Sequence, residues 1–82
     1  MKQRTHMQNK IKNLKQIIEE NKEELHAKYK GNCQLLEPIL NMLDLLILYN
    51  AKDERIEEYL NNMNSSIKII QEKIEWINKS KT

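Results

Sequence analysis

The sequence predicts an all-α fold, and three observations lead there. Apolar residues recur three and four apart over long stretches, the spacing of one face of a helix. Glycine and proline occur once each in 82 residues, far too few turn formers for an all-β sandwich or barrel. Valine and phenylalanine are absent, so Leu and Ile fill most apolar positions. This pattern gives three amphipathic helices, at about 5–30, 36–50 and 53–79, in one helical domain with flexible ends at 1–4 and 80–82.

The first helix opens at Thr5, where Thr5 and Gln8 match a capping box in which each side chain satisfies a backbone donor of the other residue. Met7, Ile11, Leu14, Ile18 and Leu25 lie along one seam, with Asn21 and Lys28 as its polar members. Asn21 in such a seam either fixes register against another helix or meets water. Gly31 is expected to supply the positive φ that ends the helix, and Asn32 to cap the next segment.

The second helix is the densest apolar block. Pro38, which lacks an N–H, belongs near its start. Leu36, Ile39, Leu40, Leu43, Leu46 and Ile47 are its candidate core or oligomer-interface residues. Two apolar stripes run along it, one through Leu35, Ile39, Met42, Leu46 and Tyr49, the other through Leu36, Leu40, Leu43 and Ile47. A helix apolar on two sides needs two neighbours. Asp44 falls with Asn41 on a narrow polar strip facing solvent. With Glu37, Asn41 and Asp44 interrupting it, the block is too short and too polar to span a bilayer.

The third helix carries Ile56, Leu60, Met63, Ile67, Ile70, Ile74 and Ile77 in unbroken four-three alternation, the signature of coiled-coil or long-bundle packing. Asn61, Asn62, Asn64, Ser65 and Ser66 have poor helix propensity, but the preserved phase favours continuity. The junction near Asn50 admits a turn, giving an up-down-up three-helix bundle, or a continuous helix, giving a hairpin that pairs between chains. The turn is favoured, because Asn50 or Asp53 can open a new helix.

Size points to association. A single core this small barely offsets the conformational entropy of ordering the chain, so a homodimer is expected. A lone Cys33 excludes an internal disulfide and fits a reducing cytoplasm. The N-terminus is basic but has no apolar segment, so it does not read as a secretory signal. Lys, Ile and Asn, which have AT-rich codons, number 33, suggesting an AT-rich genome such as that of a low-GC bacterium or its phages.

Fourteen Lys and Arg against twelve Asp and Glu leave a charge of +2, which says little about nucleic acid by itself. Lys2, Arg4, Lys10, Lys12 and Lys15 form the candidate patch, since phosphate neutralisation needs clustered cations. His6, His26 and Cys33 are too scattered for zinc, no cofactor is implied, and no nucleophile accompanies a base and an orienting group. The chain therefore reads as a non-enzymatic module that binds a specific protein, a small regulator or inhibitor of phage or mobile-element type. Ile69, Lys73 and Trp76, off the main seam of the third helix, are its candidate partner surface. The alternatives are a nucleic-acid-binding accessory protein using residues 2–15 and a regulator resting on a membrane through residues 35–49.

Overall fold

A computed structural model describes residues 5–31 and 34–80; Lys2, Arg4, Asn32 and Cys33 lie outside this range, as do the expectations placed on them. Five helices appear among the described residues where three were expected: α1 (His6–Glu20), α2 (Lys22–Tyr29), α3 (Leu36–Leu48), α4 (Asp53–Asn62) and α5 (Asn64–Ser80). The two long helices are each divided once.

Asn21 divides the first. It takes φ −108° and ψ 4°, and its side-chain amide donates to the Ile17 carbonyl at 2.8 Å. A short polar side chain that bonds back to its own helix competes with the regular ladder, which is why asparagine is a poor interior residue. The helix resumes at once, because the Leu25 N–H donates to the Asn21 carbonyl at 2.9 Å. Asn21 is largely buried, and its side-chain N–H is held by its own helix rather than by another. Met63 divides the third segment, at φ −102° and ψ 12°. It sits within the run of Asn and Ser whose weak propensity the preserved phase was expected to override. Ile56 before the break and Ile67 and Ile70 after it are all buried, so the seam survives the interruption.

The turn near Asn50 is real, and the continuous helix is thereby excluded. Asn50 has φ 52°, the one positive φ among the described residues. The Asn50 N–H donates to the Ile47 carbonyl at 3.1 Å and the Ala51 N–H to the Leu46 carbonyl at 3.0 Å, the two bonds of a Schellman motif. Asparagine tolerates this conformation better than most side chains. Gly31, assigned that role from the sequence, does not have a positive φ. Lys30, at the end of α2, remains right-handed. The difference comes from connection length: six residues join α2 to α3, whereas four join α3 to α4 and must reverse the chain abruptly. Neither Asn50 nor Asp53 caps α4 through its side chain; Lys52 holds the cap position, with Asp53 and Glu54 in the first turn opposing the helix dipole.

The expected capping box forms at α1, where the Gln8 N–H donates to Thr5 Oγ1 at 3.2 Å and the Thr5 N–H to Gln8 Oε1 at 3.1 Å. At the other terminus α5 extends through Ser80, one residue beyond the expected domain edge, and the Ser80 hydroxyl donates to the Trp76 carbonyl at 3.0 Å.

The chain runs up, down and up. α3 packs against α1, α4 also lies on α1, and α5 lies on α2, so the α1–α2 rod is shared by both flanks. Its seam residues Ile11, Ile18 and Leu25 meet Leu36, Ile39, Leu40, Leu43 and Leu46 from α3 and Ile56, Ile67, Ile70, Ile74 and Ile77 from α4 and α5, all buried. Leu14, Ile47, Leu60 and Met63 pack against this core while partly exposed. The α3 residues Leu36, Ile39, Leu40, Leu43, Leu46 and Ile47 thus serve the core of the single chain.

Candidate interaction surfaces

The candidate partner residues Ile69, Lys73 and Trp76 lie on α5, two of them beside Tyr29 of α2. Ile69 and Trp76 stand two turns apart on α5, and both are substantially exposed. Lys73, between them, places Nζ 4.0 Å from the Trp76 ring centroid and 5.2 Å from that of Tyr29. Tyr29 meets Trp76 edge-on, with centroids 6.3 Å apart and planes at 63°, the T-shaped arrangement that aromatic quadrupoles favour. A cation over two rings holds the indole in place although its side chain remains 49% exposed. Tyr29 was missed from the sequence because only the tertiary packing of α2 on α5 brings it to Trp76.

A second apolar surface lies on α3. The face turned to α1 is buried, but Leu35, Met42, Leu45, Leu48 and Tyr49 are exposed, Leu48 at 70% and Tyr49 at 75%. Of the two stripes drawn from the sequence, the Leu36–Ile47 stripe found its neighbour in α1, while the other is split: Ile39 and Leu46 are buried, and Leu35, Met42 and Tyr49 are not. α3 and α4 face each other across a shallow groove of about 180 Å³ lined by Met42, Leu46, Arg55, Glu58, Tyr59 and Asn62. Partial burial pushes the Tyr59 phenol above its ordinary pKa.

The opposite edge of α3 is charged and bridged to α1 and α2 by ion pairs. Lys15 Nζ lies 2.9 Å from Asp44 Oδ1 and 3.3 Å from Glu19 Oε1. Hydrogen bonding to Asp44, then to Glu19, raises the Lys15 pKa. Lys22 Nζ lies 2.7 Å from Glu37 Oε1, with His26 Nε2 3.5 Å from the same oxygen. The Lys22 hydrogen bond holds the Glu37 carboxyl below its ordinary value, with His26 adding to the effect. Asp44 and Asn41 are solvent-facing, as the polar strip implied.

The described members of the candidate nucleic-acid patch do not converge. Lys10 lines a groove of about 300 Å³ with Leu14, Ile17, Leu60 and Ile67 on the α4–α5 side of α1. Lys12 and Lys15 lie on the α3 side, beside Glu19 and Asp44. Among the described residues no three His, Cys, Asp or Glu side chains are grouped as metal ligands, and no helix is long and apolar enough to cross a membrane. No protein-family model matches the chain, and no curated protein and no solved structure resembles it at a significant level.

Proposed function

We propose that this chain is a non-enzymatic protein–protein interaction module, a small regulator or inhibitor that acts in the cytoplasm by occupying a specific partner protein. The observation that supports this reading is the Tyr29–Lys73–Trp76 cluster. Tryptophan is enriched among residues that dominate binding energy, and an indole already held by a cation and an aromatic edge loses less rotamer freedom on docking than a free one. Ile69, on the same face of α5, extends the apolar area beside it. The abundance of Lys, Ile and Asn, residues with AT-rich codons, suits a phage or mobile-element origin, where short helical inhibitors of host proteins would have a use.

Trp76→Ala tests this reading. Because Trp76 is half exposed and outside the buried core, the variant should keep its helical circular dichroism. Truncating a binding hot spot costs about 2 kcal/mol or more, at least ~30-fold in affinity. Immobilised wild-type protein should therefore retain a protein from lysate of the parent cell that the variant releases, as read by mass spectrometry. Identical retention by both proteins would contradict the proposal.

A further inference from the structure

We propose that the outer face of α3 is the contact surface for a second copy of this chain, with the two copies related by a two-fold axis near Met42. The inference is independent of the Trp76 surface, which lies on α5.

The exposed residues form a regular seam. Leu35, Met42 and Tyr49 are seven apart, and Pro38 and Leu45, also exposed, are seven apart and interleaved with them. Steps of three and four, repeated, are the spacing of a helix that packs against another helix. Yet α1 already occupies the opposite side of α3, and α4 stands away across the groove. The seam is complete and has no partner within the described chain.

Charge and symmetry identify the occupant. The two acids of α3 are turned away from the seam and held by Lys15, Lys22 and His26, so two such seams can meet without opposing like charges. The spacing about Met42 is the same in both directions, with Leu35 seven residues before it and Tyr49 seven after. An antiparallel copy thus sets Leu35 against Tyr49 at both ends, the self-complementarity that an isologous contact requires. The groove beside Met42 offers one cation, Arg55, and one anion, Glu58. A second copy brings the same cation and the same anion to the rim, so the rim is mixed in sign rather than like-charged.

Area is consistent with a modest dimer. Monomeric proteins rarely leave more than a few hundred Å² of contiguous apolar surface open. Four large apolar side chains of the stripe, Leu35, Met42, Leu45 and Tyr49, are each more than a third exposed. Specific interfaces begin at a total of about 1,000 Å², a demand at the low end of the range that two small apolar stripes with polar rims would have to meet.

Sedimentation equilibrium of the full chain, from micromolar to near-millimolar concentration, decides the matter. The wild type should approach the mass of two chains and stop there. Met42→Lys and Leu45→Glu, both at exposed positions, should each weaken dimerisation at least tenfold with unchanged helicity, while Trp76→Ala should dimerise as the wild type does. A wild type that stays monomeric throughout, a dimer indifferent to both α3 variants, or assemblies that grow beyond two chains would each overturn the proposal. So would co-flotation with phosphatidylcholine–phosphatidylglycerol vesicles that the α3 variants abolish, since a lipid surface would then be the occupant.

Discussion

Gln8 is a buried glutamine whose amide is fully employed. Its Oε1 accepts from the Thr5 N–H to close the capping box, and its Nε2 donates to the Ala51 carbonyl at 3.1 Å and to Asn50 Oδ1. The Thr5 hydroxyl in turn donates to Asp53 Oδ1. Two short polar side chains at the start of α1 thereby tie down the α3–α4 turn, more than forty residues away. Gln8→Ala should lower stability in urea unfolding by about 1–3 kcal/mol, because buried partners lose their bonds. Gln16→Ala, which removes only an exposed 3.2 Å bond to Glu20, should stay within about 0.5 kcal/mol of wild type. Equal effects would show that the Gln8 bonds do not hold the turn. The local half of this arrangement was legible, since Thr5 and Gln8 stand three apart in the sequence. The cross-chain half was not, because nothing local to Gln8 specifies that Asn50 will arrive beside it. Asn21 shows a related gap: a polar residue in an apolar seam suggests an outside partner or water, but not that its side-chain N–H would bond the Ile17 carbonyl of its own helix and break the helix there.

At the scale of elements, the seams were readable and the breaks within them were not. A single disturbed turn at Asn21 or Met63 shifts the helix too little to throw Leu25 or Ile67 off the core, so hydrophobic periodicity runs through it without a mark. The left-handed turn was assigned to Gly31 by residue type, whereas the short connection placed it at Asn50. The edge between α3 and the α1–α2 rod also carries exposed ion pairs, and these give it a pH dependence. The Glu37 carboxyl is held below its ordinary pKa of 4.5 by Lys22. Its contribution is therefore present above the unfolded carboxyl pKa and is withdrawn as pH falls through the lower folded value. Lys22 is raised above 10.5 by the same bond, so its contribution is present below that pKa and is withdrawn at alkaline pH as the raised folded value is passed. Glu37→Gln should flatten the loss of thermal stability on acidification while leaving a smaller penalty at neutral pH. As the pair is exposed and screened by solvent, added salt should shrink the difference. An unchanged acid limb in the variant would mean that Glu37 is not engaged by Lys22 in solution.

The whole molecule refines the argument from size. A chain with one glycine, one proline and a modest apolar fraction looked like half of a shared core. Instead the described residues close a core of their own, thirteen buried Leu and Ile drawn from all five helices. What remains uncovered is the outer face of α3; the stripe through Leu35, Met42 and Tyr49 read from the sequence contributes to it, but its Ile39 and Leu46 turn into the core and Leu45 lies outside that stripe. The inner α3 residues therefore belong to the fold, and association is the role proposed for the outer ones. The most direct measurement is an isotope-filtered nuclear Overhauser experiment on an equimolar mixture of labelled and unlabelled chains. Intermolecular contacts should arise from Leu35, Met42, Leu45 and Tyr49. Intermolecular contacts from Leu36 or Leu43, or none from the outer face at concentrations where two chains associate, would contradict this division.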